Sequence, residues 1–232
     1  TSSRTYHNRM NNLGAILSNQ PQETLIIVNP VAHNAPSQES LLDAKNALNE
    51  LGWKVNFKET SCQGDAINIA KLATQNQIPI VFACGGDGTV NEVANGLAGS
   101  NTALAMIRGG ISSIWAREIG IPKDPVEAVK SCIEGTRRRI DLGKAGDRYF
   151  ILMAGYGLDG LITKQVPLSL KRRLGATAFI LTAIKESIGY TGQPVTLVMD
   201  NEHKTGRLLM LVVGNSRNYG GVTQITPTAR ID

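Results

Sequence analysis

Short apolar runs alternate with segments of helical spacing through the first half of this chain, and that alternation admits few folds. A β-rich run that turns into a helix and then into another such run builds a parallel sheet wrapped by helices. Thr24-Leu25-Ile26-Ile27-Val28 reads as the first buried strand, ended by Asn29-Pro30. Ser37 is placed to cap a helix whose apolar face is Leu41, Ala44, Leu48 and Leu51, with Gly52 as its stop. Trp53, Val55 and Phe57 alternate with polar residues as a strand does, residues 65–75 read as a helix, and Ile78 to Cys84 is a strand apolar on both faces.

That last run leads into Gly85-Gly86-Asp87-Gly88-Thr89, after which Val90, Val93, Ala94 and Leu97 recur at helical spacing while Asn91, Glu92 and Asn95 point elsewhere. Ala103 to Ile107 is the next strand, with helices expected from about Ser113 to Ile119 and over 125–134. From about residue 140 the pattern changes: 139–142, 149–154, 195–199 and 207–213 read as strands, with one helical region near 160–189. The expected organisation is a polar lead over 1–22, a parallel-sheet α/β unit over 23–139 and a β-rich unit over 140–232.

The turn at 85–89 carries the most chemistry. Ligands of open parallel sheets bind at the carboxyl ends of the strands. Glycines there remove the Cβ atoms that would hold a phosphate away from the main chain, and the helix that follows offers free N–H groups to an anion. A carboxylate in such a place repels phosphate unless it shares Mg²⁺ with it or accepts a proton from an attacking hydroxyl. Either role for Asp87 implies phosphoryl transfer; otherwise the glycines make a tight turn and Asp87 caps the helix.

The run Gly85-Gly-Asp-Gly-Thr-Val-Asn-Glu-Val-Ala-Asn-Gly-Leu97 resembles the signature of the diacylglycerol kinase and sphingosine kinase catalytic domain family. Asn29-Pro30, Thr60 with Gly64-Asp65-Ala66, the run 116–122, Ile140-Asp141-Leu142-Gly143, Lys171-Arg172-Arg173-Leu174-Gly175 and Gly214-Asn215-Ser216 resemble other family segments in family order. The resemblance implies an α/β fold: a parallel-sheet nucleotide domain of NAD kinase and lipid kinase type, followed by a partial β-rich sandwich domain.

It also implies an ATP-dependent lipid kinase that uses Mg²⁺ and a diacylglycerol-type acceptor. Carried over by position, Asn29, Pro30, Val31, Ala32, His33, Thr60, Gly85, Gly86, Asp87, Gly88, Thr89, Val90, Asn91 and Gly110 line the nucleotide site. Asp87 is the catalytic candidate, Asp87 and Asp141 the metal candidates, and Lys171, Arg172 and Arg173 the contacts to an anionic lipid surface. NAD kinases share the Gly-Gly-Asp-Gly-Thr turn, but its continuation into Asn-Glu-Val-Ala-Asn-Gly favours the lipid branch.

The chain departs from the family pattern at the third loop, where Arg108-Gly109-Gly110-Ile111-Ser112-Ser113 stands for Pro-x-Gly-Thr-x-Asn. Ile111 cannot offer the Thr hydroxyl to a phosphate or ribose, and Arg108 is either a charged phosphate donor or a surface residue. His33 stands where the first loop has a glycine. The first residue is Thr1, and the chain stops at Asp232 in what reads as structure, so a fragment is expected, with the main family base beyond Asp232. An alternative reading is therefore a catalytically impaired nucleotide-binding regulatory module.

Composition closes off other classes. With 42% hydrophobic residues and a net charge of +5 over 232 residues, the chain is neither disordered nor in need of disulfide staples. Its three cysteines, Cys62, Cys84 and Cys132, have no metal or disulfide spacing, which suits a reducing cytoplasm. Aromatics at 5% are too sparse for stacking on nucleic acid. The local basic cluster of Lys164 and 171–173 beside an apolar helix points either to peripheral membrane contact or to a solvated turn. A homodimer is left open.

Overall fold

The computed structural model describes residues 22–167, 177–219 and 223–231. Nearly all of the polar lead and the run Lys171, Arg172, Arg173 lie outside these residues. The first half forms one parallel sheet of four strands: β1 (Gln22–Val28), β2 (Trp53–Glu59), β3 (Ile80–Gly85) and β4 (Ala103–Arg108), in the order β2-β1-β3-β4. The connecting helices are α1 (Gln38–Glu50), α2 (Asp65–Gln75) and α3 (Asp87–Leu97), and after β4 come α4 (Ile114–Glu118) and α5 (Pro125–Glu134).

Strand alternation sends neighbouring side chains to opposite faces, and both faces are covered. Leu25, Ile27, Val81 and Ala83 pack under α2, α3 and α4, while Ile26, Val28, Phe82 and Cys84 pack under α1 and α5. Burying side chains such as Ile27 and Phe82 completely stabilises the sheet by about 1.5–3 kcal/mol each.

The helix ends follow local chemistry. The Ser37 side chain accepts from the Ser40 N–H at the start of α1, and Asp124 accepts from Val126 and Glu127 ahead of Pro125 at the start of α5. Gly52 takes positive φ after α1, as a helix stop requires. Gly96 is different: it lies inside α3, where a Cβ would meet the Ala70 Cβ and the Ile67 carbonyl of α2 at 2.5 Å. This glycine lets two helices touch rather than turn.

The second half is antiparallel. Strands β5 (Gly143–Ala145) and β6 (Arg148–Phe150) form a hairpin; β7 (Met153–Gly157) precedes helices α6 (Leu158–Gln165) and α7 (Thr177–Ser187). Strands β8 (Gln193–Met199) and β9 (Glu202–Leu208) form a second hairpin, β10 (Met210–Gly214) pairs with β7, and β11 (Asn218–Tyr219) pairs with β12 (Thr223–Gln224). The expected strand at 139–142 is an extended segment outside any sheet; Ile140 and Leu142 pack on the first core while Asp141 faces out, which imitates strand alternation. The expected strands 149–154 and 207–213 are each split between two elements. Among the described residues no helix is long and apolar enough to cross a membrane.

Candidate functional site

Three loops meet at the carboxyl edge of the parallel sheet and enclose a cleft of about 530 Å³. They follow β1, β3 and β4, the exit of β2 at residues 60–63 completes the lining, and hydrogen bonds lace these segments together. Asn29 accepts from the Val31 N–H with its Oδ1 and donates from Nδ2 to Thr89 Oγ1 at the start of α3. Asn34 donates from its backbone to the Gly109 carbonyl and from its side chain to the Gly110 carbonyl. Thr60 donates its N–H to the Val28 carbonyl, which holds the exit of β2 beside that of β1.

The glycine turn and the third loop pack backbone to backbone. A Cβ on Gly110 would come within 2.6 Å of the Gly86 Cα, and one on Gly109 within 3.0 Å of the Gly85 Cα. Gly88, in contrast, has open space where a side chain would be and lies exposed on the cleft wall. The first intrahelical bond of α3 runs from the Val90 N–H to the Gly86 carbonyl, so the amides that precede it are free of the helix ladder. This is a cradle for an anion with main-chain donors and no Cβ in the way.

Asp87 opens α3, yet its carboxylate serves another helix. Its two oxygens accept from the backbone N–H groups of Ile114 and Trp115, each at 3.1 Å. The side chain thus caps α4, which Ser113 enters in the left-handed conformation at φ 41. Part of its rim is still on the cleft. Of the two sequence readings, ligand binding and capping of its own helix, the structure yields a third: a carboxylate that fixes the third loop against the glycine turn.

Most expected nucleotide residues do line the cleft: Asn29, Val31, Ala32, His33, Thr60, Gly86, Asp87, Gly88, Thr89 and Gly110. Pro30, Gly85, Val90 and Asn91 do not. Pro30 is exposed at the turn, Gly85 is buried against the third loop, and Val90 is a core residue at 1% exposure. Asn91 bonds to the backbone of Tyr149 and Ile151 in the second half.

Asp141 also stands apart from the cleft. Its N–H donates to the Ile231 carbonyl and its own carbonyl accepts from Asn215. Among the described residues no three His, Cys, Asp or Glu side chains gather as a metal cage, and Asp87 and Asp141 do not share the cleft. Of the two expected metal candidates, Asp87 is the one that reaches the cleft. Arg108 turns away as well, making a long contact from its guanidinium to the Ile121 carbonyl.

Several cleft residues escaped the sequence reading: Ser61, Cys62, Gln63 and Glu92. Glu92 accepts from the Gly64 N–H and ties α3 to the start of α2. Asp65 accepts from the Ser61 hydroxyl and from the N–H groups of Ser61 and Cys62, and these bonds hold its carboxyl well below the usual range. The Cys62 thiol donates to Asp65, and that bond, with the nearby negative charge, pushes the thiol pKa up. An acidic residue at the first helical position three residues after a loop Cys was the available signal.

The family model for the diacylglycerol kinase catalytic domain matches residues 23–145, the sheet and both of its glycine loops. The chain belongs to that family. A member of this diacylglycerol kinase catalytic domain family, it is 35% identical over 163 residues to the diacylglycerol kinase of Bacillus subtilis, covering 69% of the chain and 54% of the relative. It is 32% identical over 214 residues to a Chromohalobacter salexigens protein described as "Probable lipid kinase YegS-like", covering 90% and 68%. Matches thus take in about half the length of several diacylglycerol kinase relatives. The crystal structure of a diacylglycerol kinase from Bacillus anthracis superposes with a TM-score of 0.72 at 26% identity, over 91% of this chain and 70% of that one. The family fold therefore extends past the matched domain into the antiparallel half.

Proposed function

We propose that this chain is the nucleotide-binding part of a lipid kinase that transfers the γ-phosphate of ATP to a lipid hydroxyl of diacylglycerol type. The observation that carries the reading is the anion cradle at the carboxyl edge of the sheet: Gly86 and Gly88 with the free amides of α3, closed by the Gly109-Gly110 turn. Family membership supports it. A domain boundary near 139/140 is part of the proposal, with the acceptor on the side of the antiparallel half.

In this reading the main chain from Gly86 to Thr89 binds the phosphates. Asn29 holds the first loop against Thr89, and Asp87 holds the third loop so that both glycine turns keep their spacing. Bound nucleotide would bring Mg²⁺ on its phosphates, where the ion would offset their charge, with Asp87 as the carboxylate at hand on the cleft. Val31, Ala32 and Ile111 give the cleft an apolar wall that excludes water from one side of the nucleotide. Contact with an anionic membrane surface through 171–173 belongs to the same proposal.

The test is direct. The full-length protein is incubated with labelled ATP, Mg²⁺ and diacylglycerol in mixed micelles, and lipid phosphate is measured beside ATP affinity. Phosphorylated lipid, with ATP affinity at least ten times weaker in Gly88→Val, is the expected outcome, since the added side chain fills the cradle. Undiminished ATP affinity in that variant overturns the site.

A further inference from the structure

We propose that Asn91 and Asn95 are positioning residues that clamp the antiparallel half onto the helix bearing the phosphate turn, and that they govern the rate of transfer without holding the nucleotide. The inference rests on the kinase reading above. The two residues are four apart, so they share one face of α3, and Asn91 lies only about 6 Å along the helix axis from Asp87.

Their amides pair with one short stretch of backbone. Asn95 Oδ1 accepts from the Tyr149 N–H at 2.8 Å, and its Nδ2 donates to the Tyr149 carbonyl at 2.8 Å. Asn91 Nδ2 donates to the same carbonyl at 3.1 Å, and Asn91 Oδ1 accepts from the Ile151 N–H at 3.0 Å. A carboxamide carries a donor and an acceptor in a plane, as a peptide does. Two of them in register imitate a neighbouring strand and cover the edge of β6 that β5 leaves unpaired. Aspartate would keep the acceptor and lose the donor, so the amide itself is needed.

A second attachment starts from the same turn. Asp87 caps α4, and Glu118, the last residue of that helix, accepts from the Ser216 hydroxyl, from the Arg217 N–H and from the Asn218 side chain. Ser216 is buried at 1% exposure. Asp87 therefore stands at the root of two struts, α3 ending on Tyr149–Ile151 and α4 ending on 216–218. Both struts are polar, so they set a geometry as well as an attraction. A transfer reaction needs the acceptor within about 3.5 Å of the phosphorus, and misplacement by an ångström costs on the order of 100-fold in rate.

The experiment uses the full-length protein as Asn91→Asp, Asn95→Asp and Glu118→Gln variants beside the Asn91→Ala/Asn95→Ala double. Amide hydrogen exchange at Tyr149 and Ile151, ATP affinity, and kcat and KM for ATP with diacylglycerol micelles are measured. Exchange at both amides is expected to rise about 10-fold or more in the double variant. Its kcat is expected to fall about 30-fold, with ATP affinity and KM for ATP within about 3-fold of the parent. The Asp variants, which disturb packing least, should show the same split. ATP affinity that falls in step with kcat overturns the proposal, since the residues would then hold nucleotide; so does an unchanged kcat. A parent protein that neither binds ATP nor phosphorylates lipid sinks the kinase reading alone, and protection of Tyr149 and Ile151 in the parent, lost in the variants, then still upholds the clamp while its absence overturns it.

Discussion

The two halves of the molecule bury their strands very differently. Every residue of β3 is buried, and β1 is buried from Thr24 to Val28. In β8 and β9 no residue is, and Val198, Met199, Leu209, Met210 and Val213 lie exposed alongside Ile180, Leu181, Ile184 and Ile188 of the α7 region. The parallel half carries its own core between two helical layers. The antiparallel half is joined to it by Ile151, which enters the first core at 2% exposure, by Ile140, Leu142, Leu152 and Ile231 packed against that core, and by polar bonds from α3 and α4. One half is held by area removed from water, and the other is oriented by directed bonds.

The largest expected effect tests that contrast. Phe82→Ala, at a fully buried site, should cost about 3–5 kcal/mol, whereas Val198→Ala, at 60% exposure, should stay within about 1 kcal/mol; urea denaturation of both variants measures this. Equal losses would break the contrast. Next comes Gly96→Leu. Its side chain has no room against Ala70 and the Ile67 carbonyl, so a loss of about 2–3 kcal/mol is expected, although Leu is the better helix former.

Ile111→Thr probes the cleft where the chain leaves the family pattern. Ile111 is 42% exposed on the cleft wall, and a hydroxyl there should tighten ATP binding about 3- to 10-fold by one hydrogen bond, read by titration calorimetry. Unchanged or weaker binding would place the nucleotide away from the third loop.

The smallest effect concerns Asp65 and Cys62. Asp65→Asn removes the acceptor and the charge that raise the thiol pKa, so the thiolate fraction at pH 8 should grow and iodoacetamide should modify Cys62 about 2- to 5-fold faster. The sign for acid stability is opposite to that of a raised group. The folded-state pKa of Asp65 is depressed, so its contribution is present above the unfolded value of about 3.9 and is lost as pH falls through the lower folded value. The parent and Asp65→Asn should therefore converge in stability as the pH drops below about 4, followed by circular dichroism.

Much of the parallel half was legible because its signals are local. The helix over 65–75, the strand at 24–28 and the Ser37 cap follow from spacing and capping chemistry within a dozen residues. The second half was harder to read. Ile140 and Leu142 alternate like a strand, yet they dock on a core made elsewhere, and the β7–β10 ladder depends on long-range register that no local pattern encodes. At the cleft, Ser61 and Gln63 join only because the loops after β1 and β2 are brought side by side, and Glu92 because α3 packs on the start of α2.

Periodicity and turn chemistry, which act within one helix or strand, determined from the sequence alone that this chain builds a wrapped parallel sheet with a glycine turn at its carboxyl edge. Tertiary structure decided what the polar members of that turn's helix do. Asp87 and Asn91 belong to one motif and one helix face region, but Asp87 caps α4 across the cleft while Asn91 clamps β6 on the far side. A carboxylate or an amide takes whichever backbone N–H or carbonyl the folded chain brings within about 3 Å of it, and that partner lies dozens of residues away.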